Sequence, residues 1–153
     1  MITEQEVNKA QEKWAESVIQ IGKLKDNKNA HLDEALKLLD DLYAYDSTKV
    51  LFKPTKAAEA PFRLEKEAAL SYFVGGNNNF PEDGGFALQP WRSIRFENAS
   101  FIFEEKRALV MGHYYFKDDG GQELKVEYSF GYRKMKDDRL KIDLHHSSLP
   151  FKN

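Results

Sequence analysis

The last part of the chain has the clearest alternation of hydrophobic and polar positions. Residues 140–151 read LKIDLHHSSLPF, in which Leu140, Ile142, Leu144 and His146 alternate with polar neighbours. A period of two is typical of a strand with one buried face. The pattern therefore predicts a final strand whose apolar row carries His146 to the interior.

Three stretches in the first half have helical spacing instead. Thr3 and Glu6 fit a capping box, which predicts a long amphipathic helix over residues 4–24. Residues 30–44 and 57–74 continue the helical pattern, and Gly75 ends it. The apolar positions of the first helix, including a predicted core anchor, are Val7, Ala10, Trp14, Val18 and Ile21.

The remaining elements are predicted to be strands. A short strand at residues 50–52 stops before Pro54; it is predicted to be an edge strand or a strand end, because proline has no amide to donate to a neighbouring strand. Residues 75–87 are rich in Gly and Asn and predict a long loop, either a pocket lid or a surface excursion. The later strands are predicted at 90–96, 100–105, 108–116 and 123–134, and the last of these alternates cleanly with Tyr128 and Phe130 on its apolar side.

This order of elements predicts an α+β fold. A strongly curved antiparallel sheet wraps over three N-terminal helices and forms a cone with an apolar interior. The length of 153 residues is typical of one domain, so residues 1–153 are predicted to form a single unit.

Composition narrows the function classes. The aromatic content of 13% predicts a ring-lined core or pocket. The net charge of -2, with no run of basic residues, argues against a nucleic-acid surface. Cysteine is absent, which excludes disulfides and thiolate nucleophiles. No apolar stretch is long enough for a signal peptide or a membrane span, so a cytoplasmic protein is expected.

The ending of the chain resembles known proteins. The segment from Leu140 to Pro150 is similar to the terminal strand of the calcium/calmodulin-dependent protein kinase II association domain. It also resembles SnoaL-like proteins, where a Trp-x-Ile-x-x-x-His-x-Ser pattern recurs. Leu140 replaces that tryptophan, His146 and Ser148 match the pattern, and Asp138-Arg139 departs from the usual Gly-Lys turn.

On these residues the chain is identified as a member of the nuclear transport factor 2-like superfamily, with its cystatin-like roll. The resemblance implies a cone with an interior pocket and a homodimer formed across the outer face of the sheet. It does not imply one activity, because the superfamily contains enzymes as well as binding and oligomerising domains.

His146 is the first candidate for chemistry, because an imidazole can act as acid or base near neutral pH. The alternative is a structural histidine that only satisfies a hydrogen bond. The alternation places Glu127 on the outer face; a one-residue slip would turn it inward as a candidate base. The side on which His113 lies depends on the register and stays open. No spacing of ligands predicts a metal site, and no cofactor is expected.

The leading prediction is an uncharacterised small-molecule-binding domain that is a homodimer and binds an apolar or aromatic ligand. One alternative is a non-catalytic association module, and another is an isomerase- or hydrolase-type enzyme that uses His146. Whether the chain is an enzyme is left open. The predicted ligand-binding residues are Tyr72, Trp91, Tyr114, Tyr128, Phe130 and His146.

Overall fold

Three helices form in the computed structural model, which describes all residues Met1–Asn153, and the first two are amphipathic segments with side-chain N-caps. Helix α1 spans Glu4–Lys23, and the capping box is present: Glu6 N donates to Thr3 Oγ1, and Thr3 N donates to Glu6 Oε1, both at 3.2 Å. Helix α2 spans Lys28–Leu42 and is capped by the Asn27 side chain. Helix α3 spans Lys66–Val74.

The third helix is shorter than predicted, since it begins at Lys66 and not at residue 57. The backbone amides of Ala58, Glu59 and Ala60 donate to the Glu82 carboxylate at 2.7–3.2 Å instead of joining a helix. Residues 54–65 therefore form an irregular segment that is tied to the loop after α3.

Five strands form one sheet in the order β1-β5-β4-β3-β2. Strand β1 runs parallel to β5, and the other neighbours are antiparallel. The strands span Leu51–Lys53 (β1), Trp91–Phe103 (β2), Arg107–Asp118 (β3), Glu123–Lys134 (β4) and Leu140–Ser148 (β5). The α+β prediction is confirmed. The prediction of separate strands at 90–96 and 100–105 is wrong, because β2 is continuous and absorbs a register shift between Asn98 and Ser100.

The core lies between the helices and the inner face of the sheet, and aromatic rings fill it. The ring of Trp14 is 2% exposed, as predicted for a core anchor. Its centroid lies 5.7–6.2 Å from the centroids of five other rings, which are Phe96, Tyr114, Phe116, Phe130 and His145. Rings at these separations stabilise one another beyond the burial of their area.

A bulge at Asp143 determines which side chains of β5 point inward. Tyr132 pairs with Ile142, but the preceding Gly131 pairs with Leu144, so Asp143 is an extra residue on β5. One extra residue exchanges the faces of all positions that follow it. Leu144 and His146 therefore face outward.

His145 and Ser147 take the inward positions, and each is 1% exposed. The prediction that His146 reaches the interior is wrong for this reason: strict alternation from Leu140 ignores the bulge. None of the helices is both long and apolar enough to cross a membrane.

Candidate active site

A buried series of hydrogen bonds links the helices to the inner face of β5. Trp14 Nε1 donates to Tyr43 Oη at 3.0 Å, and the same oxygen lies 2.8 Å from His145 Nδ1. The other imidazole nitrogen, His145 Nε2, lies 3.0 Å from Tyr114 Oη. Both nitrogens of His145 are therefore satisfied inside the core.

The series continues toward the edge of the sheet. Tyr114 Oη lies 2.5 Å from Ser147 Oγ, which lies 2.6 Å from Thr55 Oγ1. Ser147 is buried, whereas Thr55 is half-buried at the start of the irregular segment after β1. We call the series Tyr43, His145, Tyr114, Ser147 and Thr55 the hydroxyl–imidazole chain; Thr55 is its end nearest to solvent.

Counting donors assigns a direction to this chain. The indole of Trp14 is a donor only, so Tyr43 Oη accepts from it. The Tyr43 proton has one remaining acceptor, His145 Nδ1, which places the imidazole proton on Nε2. Nε2 then donates to Tyr114, Tyr114 to Ser147 and Ser147 to Thr55. The Thr55 proton is left free to bond outside the chain.

Burial keeps the hydroxyl–imidazole chain electrically neutral. The imidazole of His145 stacks between Phe130 and Phe52, with ring centroids 4.2 and 4.7 Å away. Burial, with a smaller contribution from His146, lowers the pKa of His145 well below 6.5. Burial also raises the pKa of Tyr43 and of Tyr114 above 10. Each charged form is disfavoured, so these groups act as neutral donors and acceptors near pH 7.

Tyr72 lies beside the Thr55 end of the chain. Lys56 N donates to Tyr72 Oη at 3.1 Å. Burial raises the pKa of Tyr72, and the backbone hydrogen bond from Lys56 offsets part of this rise. Tyr72 also lines a cavity of about 230 Å³ together with residues of the loop that follows α3. The phenol of Tyr72 therefore lies close to the half-buried Thr55.

A buried ion pair fixes the segment that carries Thr55. Arg63 donates to both oxygens of Asp83 at 2.7 and 2.8 Å, and both side chains are fully buried. Ser71 Oγ donates to the same carboxylate at 2.6 Å. Bidentate charged hydrogen bonds of this kind are strong and geometrically specific. The loop after α3 thus holds residues 54–63 in place and is more than a surface excursion.

The structure brings together three of the six predicted ligand-binding residues. Tyr114 belongs to the hydroxyl–imidazole chain, Phe130 stacks on its imidazole and Tyr72 lies at its end. Trp91 packs on Phe86 and donates to the Phe86 carbonyl.

The side chains of Tyr128 and His146 make no hydrogen bond to the hydroxyl–imidazole chain, although the ring of Tyr128 packs on that of Tyr114 with centroids 4.9 Å apart. The hydroxyl of Tyr128 bonds to Asn98. His146 lines an outer-face cavity of about 620 Å³ with His113 and Glu127. Glu127 is on the outer face as predicted, 3.6 Å from His113 Nε2.

Sequence reasoning missed Tyr43, Thr55, His145 and Ser147. The doublets His145-His146 and Ser147-Ser148 place the same residue types on both faces, and the prediction chose His146, the outward member of the histidine pair. No sequence pattern marked Thr55 as a candidate, because it lies outside any helix or strand. No group of three or more His, Cys, Asp or Glu side chains is placed to hold a metal ion.

Comparison with known proteins gives consistent matches. A family model described as metal-independent carbonic anhydrase matches residues 5–149. A curated protein of that description from Nostoc sp. is 40% identical over 153 residues, with 98% of this chain and 75% of the relative covered. The solved structure of a cyanobacterial iota-carbonic anhydrase complexed with bicarbonate superposes with a TM-score of 0.96 and 38% identity, covering 99% of this chain and 94% of the other.

More distant structures share the fold alone. A protein from Xanthomonas campestris, described as a calcium/calmodulin-dependent protein kinase II association domain, has a TM-score of 0.65 and 19% identity, covering 100% of this chain and 91% of the other. A Streptomyces avermitilis protein of the nuclear transport factor 2-like family has a TM-score of 0.59 and 14% identity, with 97% and 96% covered. The superfamily resemblance predicted from the sequence is confirmed.

The functional prediction is wrong. The family model and the two carbonic anhydrase relatives indicate a carbonic anhydrase, not an uncharacterised domain that binds an apolar or aromatic ligand. The alternatives of an association module and of an isomerase or hydrolase that uses His146 are wrong on the same evidence.

Proposed function

Because the chain belongs to the metal-independent carbonic anhydrase family, we propose that it catalyses the reversible hydration of CO2 to bicarbonate. The observation that carries the proposal is the neutral hydroxyl–imidazole chain that ends at the half-buried hydroxyl of Thr55. The substrate is small and uncharged, and the reaction needs a positioned water and a group that moves a proton. Thr55 supplies such a group.

In the proposed proton path, the Thr55 hydroxyl accepts one proton and donates another in the same step. Thr55 Oγ1 already accepts from Ser147, and it has a second lone pair for a water molecule. As the water oxygen forms a bond to the carbon of CO2, one water proton passes to Thr55 Oγ1, and the Thr55 proton passes to a CO2 oxygen. The product is carbonic acid, which loses a proton to solvent and becomes bicarbonate.

This path requires no charged side chain, which agrees with the electrostatics of the site. A step that placed a proton on His145 or removed one from Tyr114 would create a buried charge, and burial opposes both changes. The buried part of the chain instead fixes the orientation of Ser147 and Thr55. Tyr72 supplies a second hydroxyl for orienting the water or an oxygen of CO2.

The predicted ligand-binding set is revised accordingly. We place Tyr72 and Tyr114 in the reaction site and assign Phe130 to holding the imidazole. Trp91 is assigned to packing, Tyr128 to the Asn98 hydrogen bond and His146 to the outer face.

The homodimer stays a proposal: the outer face of the sheet, where Met111 is 56% exposed, is the proposed contact with a second copy. Light scattering measures the mass.

The proposal is tested by the rate of CO2 hydration, followed by stopped-flow with a pH indicator. Two matched pairs on β5 separate the inner face from the outer face: Ser147→Ala with Ser148→Ala, and His145→Gln with His146→Gln. The inward changes should lower kcat/KM by about tenfold or more, and the outward changes should leave it within about twofold. Wild-type protein without activity, or equal losses on both faces, would overturn the proposal.

A further inference from the structure

The ammonium group of Lys53 has no carboxylate partner. Lys53 is the last residue of β1, and its backbone partner on β5 is His146. Its Nζ donates to the Ser147 carbonyl at 2.9 Å, and no carboxylate oxygen lies within 4.0 Å of it. Lys66, by contrast, pairs with two aspartates at 2.6 and 3.0 Å. Lys53 is half-buried, so its ammonium is a partly shielded positive charge beside the Ser147 carbonyl that no carboxylate neutralises.

Ser147 connects this cation to the proposed reaction site. The carbonyl of Ser147 accepts from Lys53, while its hydroxyl lies between Tyr114 and Thr55. Bond lengths keep the carbonyl oxygen of a serine within about 4 Å of its own Oγ, which places the ammonium within about 7 Å of Ser147 Oγ. Lys53 and Thr55 therefore approach the same residue from neighbouring positions of the chain.

The environment of Lys53 favours an anion. Burial lowers the pKa of Lys53 from 10.5, because the ammonium has lost part of its hydration. His146 is the titratable residue directly across from it, and His145 beyond is held neutral. A partly desolvated positive charge without a counterion attracts a small anion more strongly than a fully hydrated one does.

We propose that Lys53 binds the bicarbonate product at the Thr55 end of the hydroxyl–imidazole chain. The inference rests on the proposed function and adds a residue that distinguishes bicarbonate from CO2. CO2 carries no net charge, so Lys53 contributes little to its binding. Bicarbonate carries one negative charge, so Lys53 favours it in the bound state.

Kinetic constants separate this role from a structural one. The equilibrium between CO2 and bicarbonate in solution fixes the ratio of kcat/KM in the two directions, so a variant changes both by the same factor. The discriminating quantity is the inhibition constant of bicarbonate during CO2 hydration. Loss of one charge at about 7 Å, between the screening of water and that of a protein surface, should raise this constant by roughly threefold to fiftyfold.

The experiment compares wild type with Lys53→Gln, Lys53→Met, Lys53→Arg and the control Lys49→Met, an exposed lysine just before β1. Glutamine keeps a donor for the Ser147 carbonyl and removes the charge, so it tests the charge even where methionine disturbs folding. We expect weaker bicarbonate inhibition in the Gln and Met variants, rescue by Arg and no change in the control, with the KM for CO2 within about twofold of wild type.

An active wild type together with an unchanged bicarbonate inhibition constant in folded Lys53→Gln would overturn the role of Lys53 and leave the proposed function intact. Equal increases in the bicarbonate constant and in the KM for CO2 would also overturn it, because the change would then be structural. A wild type without CO2 hydration would overturn the proposed function itself.

Discussion

His145 Nε2 lies 3.0 Å from Tyr114 Oη, and this contact joins the imidazole in the core to the hydroxyls that lead to the edge of the sheet. The two residues come from strands β5 and β3, which are separated by β4. Tyr114 faces inward by the regular alternation of β3, whereas His145 faces inward because the bulge at Asp143 exchanges the faces of the end of β5. The contact therefore depends on the register of the whole sheet.

Tyr114→Phe removes the hydroxyl at the centre of the hydroxyl–imidazole chain. It leaves His145 Nε2 and Ser147 each without one partner, which should lower the free energy of unfolding by about 1–3 kcal/mol. The rate of CO2 hydration should fall at least about tenfold. Urea unfolding and stopped-flow kinetics measure the two effects.

Tyr132→Phe is the matched control, because the buried hydroxyl of Tyr132 has no hydrogen-bond partner. We expect its stability and activity to equal or exceed those of wild type, since removing an unsatisfied buried hydroxyl relieves a desolvation penalty. Equal effects of Phe at positions 114 and 132 would contradict the importance of the hydroxyl–imidazole chain.

The buried His145 should make stability depend on pH in a defined direction. Its pKa in the folded protein lies well below the unfolded value of 6.5, so below pH 6.5 the unfolded state binds more protons. Stability is present in full above that pH and is lost as the pH falls toward the folded pKa, by up to about 1.4 kcal/mol per pH unit. Urea unfolding at several pH values measures this slope.

His145→Gln should flatten this part of the stability profile, whereas His146→Gln should keep the wild-type slope because His146 is exposed. The slope is compared within each protein, so a uniform loss of stability in one variant does not obscure it. A wild-type stability that stays constant from pH 7 to pH 5 would argue against a neutral His145.

Removal of metal ions should leave CO2 hydration unchanged. The proposed path uses Thr55, Ser147 and a water molecule, and the groups that surround them are hydroxyls and rings. Dialysis against a strong chelator, followed by metal analysis and stopped-flow kinetics, measures the CO2 hydration rate of the metal-free protein. Loss of the rate on chelation with recovery on adding Zn²⁺ would contradict the path.

Asp83→Asn tests the ion pair that holds the Thr55 segment. It leaves the buried guanidinium of Arg63 with only the longer contact to Glu82 at 3.7 Å, and breaking a buried pair in this way costs about 3–5 kcal/mol. Asp137→Asn breaks the exposed pair with Arg139 and should lower the free energy of unfolding far less, because water screens that pair. Thermal and urea unfolding of both variants compare the losses; similar losses would mean that the buried pair does not fix the segment.

Local sequence patterns predicted the elements whose causes are local. The capping box of Thr3 and Glu6 marked the start of α1, and the alternation around Tyr128 gave the inner face of β4 correctly. Trp14 was found as a core residue because it lies on the apolar stripe of α1. In each case the determining residues are neighbours in sequence.

The site could not be predicted in the same way, because its causes are distant in sequence. The bulge is held by Asp143, whose carboxylate accepts from Arg107 at 2.5 Å and from Arg133 at 3.2 Å on two other strands. Glycine at position 131 provides the space that the bulge needs, because a Cβ there would lie 3.0 Å or less from atoms of Arg107, Leu144 and Asp143. Thr55 is placed by contacts with β5 and with the loop after α3. Alternation alone therefore selected His146 in place of His145.

The most direct test of the proposed reaction is the rate of CO2 hydration by Thr55→Val and Thr55→Ser. Valine keeps the shape of threonine and removes the hydroxyl that relays the proton, whereas serine restores the hydroxyl. We predict a loss of roughly 10²-fold or more in kcat/KM for Val and recovery to within about fivefold of wild type for Ser, with both proteins folded. A Thr55→Val protein that hydrates CO2 at the wild-type rate would contradict the proposed role of Thr55.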